Sequence, residues 1–304
     1  MDVDQVLLEI VDDARKLVGE GEVASYIPAL ARVPADKFGI AVQTVEGDSF
    51  RAGDAEERFS IQSISKVFSL MLAMRIVTDS LWDRVGREPS GNAFNSLVQL
   101  EFERGIPRNP FINAGAIVVI DALISVLNEA KICFLEYARG LSGNESINFN
   151  DEVARSESET GYINFALANF LKVHDNIDND LDVDLDTYFH HCSLDMSCVD
   201  LARAFLPLAN NEFSTILGDA VLTRQQSRQV NSLMLTCGLY DAVGRFAYRV
   251  GLPAKSGVGG GIIAIVPNEM TIAVWGPGLD KTGNSVMGTR ALEMFAKMTQ
   301  RSIF

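Results

Sequence analysis

The sequence predicts an α/β protein of the α+β kind, with an antiparallel sheet flanked by helices and joined to a mostly helical lobe. Three observations predict it. Strand-like runs lie near residues 38–52 and 255–276, the stretch from Phe59 to about Thr236 reads almost wholly helical, and amphipathic helices open and close the chain. Both ends therefore supply one sheet, and the middle is a long helical insertion. The expected division is residues 1–66 together with 231–304 as a discontinuous sheet domain, and 67–230 as a helical domain. No internal repeat or low-complexity linker interrupts the chain, so the two lobes are expected to share an interface.

The elements follow in order. Val3, Val6, Leu7, Ile10, Val11, Ala14, Leu17 and Val18 recur at helical spacing, with Asp2 placed to cap the start. Phe38 to Val45 (FGIAVQTV) is rich in strand formers; Gly47-Asp48 is a turn signal, and Ser49 to Ala52 returns as a second strand. Ile61 to Val77 is apolar almost all round a helix, so that helix should run through a core. Phe111 to Leu127 is a second apolar stretch, and Asn113 and Asp121 within it argue for a buried helix over a membrane span. Ser197-x-x-Asp200 and Thr223-x-x-Gln226 read as helix starts with reciprocal capping. Residues 251–288 then hold 9 of the chain's 24 glycines. Within them Gly261 to Val266 and Thr271 to Trp275 form a hairpin through Pro267-Asn268-Glu269. A helix from about Ser285 to Thr299 closes the fold.

Composition narrows the function. The chain has 304 residues, of which 47% are apolar and 22% charged, which is a globular composition with a sizeable core. Its net charge of −14 repels nucleic acid and anionic lipid, so neither is an expected partner. Cys133, Cys192, Cys198 and Cys237 form no C-x-x-C pair and read as isolated thiols in a reducing compartment. The acidic, amphipathic start is unlike a signal peptide. A cytoplasmic protein is expected.

Several chemistries lack their residues. Three histidines, His174, His190 and His191, supply no H-E-x-x-H and no usual zinc spacing. The run Asp178 to Asp186 lacks the glycine and closing glutamate of a calcium loop, so it reads as a solvated acidic loop. No P-loop exists, and Gly257 to Gly261 does not sit in a strand-then-helix dinucleotide context. Neither metal nor organic cofactor is expected.

What remains is Ser63-Ile64-Ser65-Lys66. Residues three apart on a helix share a face, which sets the Ser63 hydroxyl beside the Lys66 amine. Burial favours the neutral amine, which can accept the serine proton, and the helix N-terminus favours a developing anion. The alternative is a capping Ser63 and a snorkelling Lys66. Serine enzymes of the penicillin-binding and β-lactamase kind pair S-x-x-K with a polar S-x-N or Y-x-N and a K-[ST]-G on a strand. Tyr162-Ile163-Asn164 matches the second element. Lys281-Thr282-Gly283 and Lys255-Ser256-Gly257 both match the third, and the latter is preferred because it leads into the strand GGGIIAIV.

Six blocks then resemble, in order, those of the serine-dependent glutaminases: FSIQSISKVFSL, NPFINAGAIVV, SESETGYINFALANFLK, YFHHCSLD, LMLTCGLYDAVGRFAYRVGLPAKSGVGGGI and LDKTGNSVMG. The likeness covers nearly all of residues 20–300. It implies a β-lactamase/penicillin-binding-protein-like fold, hydrolysis of L-glutamine to L-glutamate and ammonia, and a homo-oligomer, commonly a tetramer. It also implies roles. Ser63 resembles the nucleophile, Lys66 its base, and Tyr240 the tyrosine that shares proton transfer. Tyr188 resembles a pocket tyrosine, and the backbone N–H groups of Ser63 and Val258 the oxyanion hole. Gln62, Asn113, Glu157 and Asn164 resemble the ligands of the substrate's α-amino and α-carboxylate groups; in the Y-x-N element only Asn164 is carried over. Taken singly, Asn113 reads as a helix cap, Glu157 as a solvated charge and the tyrosines as packing; the ordered blocks turn each toward the site. Two other readings stay open, a β-lactamase or penicillin-binding hydrolase and a non-catalytic binding protein on the same fold.

Overall fold

Alternation along three central strands sets the architecture. In the computed structural model, which describes residues 2–91, 93, 95–210, 213–214 and 216–304, five antiparallel strands form the main sheet. Their order is Ser49–Gly53, Gly39–Thr44, Met270–Trp275, Gly261–Val266, Ala254–Ser256. Every residue of the three inner strands is buried, because helices cover both faces and successive side chains point to opposite sides. Ile40, Val42, Ile262, Ala264, Ile272 and Val274 pack with Leu7 and Ile10 of the first helix (Val3–Ala14) and Leu292 and Phe295 of the last (Val286–Thr299). Ala41, Ile263, Ile265, Ala273 and Trp275 face the larger cluster, built on the middle of the chain. The strand, hairpin and closing-helix expectations hold to within two residues, whereas the opening α-helix ends at Ala14 and gives way to the 3-10 turn Arg15–Leu17.

The helical middle also forms. Asp2 caps the first helix, and Ser197/Asp200 and Thr223/Gln226 make both expected capping boxes. Helix Ser65–Ile76 is buried from Ser65 to Met74, and Asn113–Ile124 from Asn113 to Leu123. Short strands differ from expectation, among them the pair Phe213–Ser214 and Asp219–Ala220. Phe59–Ser60, Leu194–Met196 and Asn148–Phe149 make a small three-stranded sheet inside the region read as helical. Strands of two or three residues are too short to show a period of two. This sheet matters, because it ends at Ile61, whose N–H donates to Leu194 O at 2.9 Å and so anchors the turn that follows.

A second difference concerns the acidic run. Residues 178–186 are not a solvated loop: Asp180 caps helix Leu181–Cys192 by accepting from Asp182 N at 2.9 Å, and Asp184 is fully buried. Among the described residues no helix is long and apolar enough to cross a membrane.

Candidate active site

The chain bends sharply at Gln62. Its φ of 51° is a left-handed conformation that a side-chain-bearing residue adopts only under constraint. The kink starts a single 3-10 turn, Gln62–Ile64, which feeds helix Ser65–Ile76. Ser63 stands on that turn at the head of the helix. Gly257 fixes the turn from outside, since a Cβ there would lie 2.3 Å from Ile61 O and 3.1 Å from Ser63 N. Only glycine allows this approach. The backbone leading into Val258 is thereby laid beside the Ser63 N–H, and Val258 lines the same cavity as Ser63.

That cavity has a volume of about 860 Å³. Gln62, Ser63, Asn113, Glu157, Asn164, Tyr188, Tyr240 and Val258 all line it, so eight of the nine sequence-derived site residues converge on one space. The ninth, Lys66, lies buried behind it. The Lys66 Nζ donates to Asn113 Oδ1 at 2.6 Å and to Phe111 O at 3.3 Å. Asn113 Nδ2 donates onward to Asn164 Oδ1 at 2.8 Å. Asn113 is therefore no helix cap; it is the first helical residue, and its side chain links the lysine to the pocket wall. Burial pulls the Lys66 pKa from the ordinary 10.5 down to about 8, opposed by Cys192 and Glu157.

Glu157 is no surface charge either. It is 7% exposed and accepts from Gln62 Nε2 at 2.7 Å. Gln62 Nε2 also donates to Ser60 Oγ at 3.0 Å, so the Gln62 amide holds Glu157 in place as much as it faces the cavity. Burial pushes the Glu157 pKa up to about 7, while Gln62 and Lys66 pull it down.

Tyr240 occupies a second left-handed kink, at φ 49°. Its hydroxyl lies near Ser63 and donates to Ser256 O at 3.4 Å. Burial raises its pKa, so the phenol is protonated at neutral pH. Beneath its ring lies the fully buried Lys255, with Nζ 4.6 Å from the ring centroid and donating to Ser256 O at 2.6 Å. Burial, then Lys66, hold the Lys255 pKa well below its ordinary value. Lys255-Ser256-Gly257 does sit on the edge strand, beside Ser63. Tyr188 packs in the core and also closes the cavity, with the Lys66 ammonium 5.8 Å from its ring centroid.

The sequence reading passed over some of the lining. Tyr26 sits in an irregular segment that carries no motif, Cys192 lies one helical turn beyond Tyr188, and the discounted Lys281-Thr282-Gly283 forms part of the rim. The i, i+4 spacing of Tyr188 and Cys192 was a usable signal. Tyr162 of the Y-x-N letters points away, 79% exposed.

An edge-strand K-S-G, a serine on a kinked turn at a helix head and a buried lysine one turn on define an enzyme of the β-lactamase-like fold. Its solved neighbours are glutaminases with that fold. A family model described as Glutaminase matches residues 21–304, and the chain belongs to the glutaminase family. It is 57% identical to a glutaminase of Aliivibrio salmonicida over 99% of this chain and 98% of that one. A probable glutaminase of Bacillus subtilis superposes with a TM-score of 0.90 at 34% identity, covering 99% of this chain and 97% of the other. A second Bacillus subtilis structure matches at a TM-score of 0.88 and 34% identity, covering 99% of both chains. It is a covalent complex of a Bacillus subtilis glutaminase with 5-oxo-L-norleucine, formed by reaction with 6-diazo-5-oxo-L-norleucine.

Proposed function

We propose that this glutaminase hydrolyses L-glutamine to L-glutamate and ammonia through a γ-glutamyl ester on Ser63. The observation that carries it is Ser63, on a kinked turn, and Tyr240 lining one cavity, with a lysine of depressed pKa buried one turn along the helix. The covalent adduct of the Bacillus subtilis relative is in keeping with a nucleophile in this position.

In this reading the Ser63 oxygen attacks the side-chain amide carbon and its proton passes to neutral Lys66. The carbonyl oxygen becomes an anion held by the N–H groups of Ser63 and Val258. Protonated Tyr240, which lines the same cavity as Ser63, relays a proton to the departing nitrogen, and the C–N bond breaks to release ammonia. Water then adds to the ester, its proton is taken by the same pair and handed to the Ser63 oxygen, and the C–O bond to Ser63 breaks to release glutamate and restore the serine. Glu157 receives the substrate ammonium, Asn113 and Asn164 its carboxylate, and Gln62 and Tyr188 complete the pocket.

The test is ammonia release and glutamine affinity for three variants, with mass spectrometry after rapid quench. Ser63→Ala should lose several orders of magnitude in turnover and still bind glutamine. Lys66→Ala should be nearly as severe, whereas Glu157→Gln should mainly raise KM. If Ser63→Ala keeps more than about a tenth of wild-type turnover, a loss of only about 1.4 kcal/mol, Ser63 is not the nucleophile.

The wider setting belongs to the same proposal. Four free cysteines support a reducing, cytoplasmic location. A homotetramer, which the family resemblance implies, would bury exposed apolar side chains such as Val98, Phe102, Tyr162 and Val173. The division into residues 1–66 with 231–304 and residues 67–230 is supported by the separate cluster under the terminal helices.

A further inference from the structure

Asp184 is fully buried, and among the described residues no hydrogen-bond donor reaches either of its carboxyl oxygens. The group beside it is the carboxyl of Asp121, also fully buried. Asp121 is fully provided for. Its Oδ1 accepts from Asp178 N at 3.0 Å, Asn179 N at 2.8 Å and Asn179 Nδ2 at 2.9 Å, and its Oδ2 accepts from Arg84. Four donors, one of them a guanidinium, leave the Asp121 carboxyl oxygens acting as acceptors only. A second carboxylate beside it, buried and without a donor, is the costly arrangement; a neutral acid in that place supplies its own O–H to Asp121 and removes the cost.

The two residues sit on the helices that furnish the pocket. Asp121 lies two turns along helix Asn113–Ile124 from Asn113 itself. Asp184 lies one turn before Tyr188 and two before Cys192 on helix Leu181–Cys192. We propose that Asp184 is a positioning residue: as a neutral acid it donates its proton to Asp121, and that proton holds the Tyr188 helix in register against the Asn113 helix. The inference rests on the pocket roles proposed above for Asn113 and Tyr188.

The charges facing Asp184 come from every neighbouring element. Asp121 lies on helix Asn113–Ile124, Arg84 on Leu81–Arg84 and Lys172 on Tyr162–Val173, while Asp178 pairs with Arg84 at 3.4 Å. Burial and then Asp121 push the Asp184 pKa up to about 8, against the weaker pull of Lys172 and Arg84. Loss of the proton above that pH places two carboxylates together, loosens the two helices and weakens glutamine binding.

Two measurements on the intact protein test this. In protein carrying 13C at aspartate side-chain carboxyls, one resonance should titrate near pH 8 and vanish in Asp184→Asn. A wild-type spectrum in which every aspartate titrates in the ordinary carboxylate range overturns the proposal, whether or not the variant folds. In steady-state assays the ratio of the wild-type KM for glutamine to the KM of Asp184→Asn should rise about fourfold between pH 7 and 8.5, following the fraction of protonated Asp184, because Glu157 titrates alike in both proteins. Asp184→Asn keeps a neutral donor to Asp121, whereas Asp184→Leu, with no donor, should show raised KM at pH 7 already. A ratio that stays level while the acid resonance titrates overturns the positioning role. Failure of the underlying hydrolase mechanism would show separately, as turnover retained by Ser63→Ala.

Discussion

Lys66 and Glu157 titrate as they do because both are enclosed. The lysine is pulled down to about 8 and the glutamate pushed up to about 7 by the same loss of water. Catalysis by the proposed route needs neutral Lys66 and ionised Glu157, so both requirements act in one direction. Between about pH 6 and 8, kcat/KM for glutamine should therefore rise with pH, as each group loses its proton. In Glu157→Gln the lower of the two steps should disappear while the Lys66 step stays, and pH profiles of the two proteins check this. At this scale the S-x-x-K spacing was legible in the sequence. The Asn113 link from lysine to pocket was not, because 47 residues separate its ends and only packing joins them.

At the scale of elements, the nucleophile turn is held between short strand Phe59–Ser60 and the approach of Gly257. Gly257→Ala would drive a methyl group against Ile61 O, with no flexible side chain to yield. Turnover should fall by about 10²-fold, the scale of a misplacement near 1 Å, with a destabilisation of about 1–3 kcal/mol. Thermal unfolding and ammonia release, measured on one preparation, separate the two effects. The inner strands and capped helices were readable because each carries its own period and its own caps. The small sheet through Leu194–Met196 was not, since its pairing depends on partners distant in the chain, Phe59 with Met196 and Ser60 with Asp195.

Over the whole molecule, the buried acids set how stability responds to pH. Asp184 and Glu157 have folded-state pKa values above their unfolded ones, 3.8 against about 8 and 4.5 against about 7. At these two sites the folded state binds more protons in that window, so their contribution to stability is greatest below the unfolded values and declines as pH rises toward 7 and 8. Lys255, His191 and Lys66, whose pKa values burial lowers, act in the opposite sense, so the readout is a difference: between pH 5 and pH 8 the urea midpoint of Asp184→Asn should gain on that of the wild type. The core under the terminal helices makes a second demand. Leu292 is fully buried there, so Leu292→Ala should cost about 2–5 kcal/mol, read from the same urea curves. Light scattering addresses assembly: a tetramer of 33.2 kDa chains is expected, and a mass near that of one chain contradicts it.

What the sequence determined by itself is whatever is written in short range or in ordered motifs. Strand alternation, helix periodicity, the two capping boxes and the serine–lysine spacing are each contained within a few neighbouring residues. The six ordered blocks then mark the side chains that belong to one pocket. Tertiary structure alone decided which of them bear on each other. It buried Glu157, turned Asn113 from a cap into the link between Lys66 and Asn164, and brought Lys255 beneath Tyr240. It also converted an acidic run, polar in every local respect, into a helix with one carboxyl sealed against Asp121. The physical reason is desolvation: charge and protonation depend on what surrounds a group in space, and no local pattern along the chain records that.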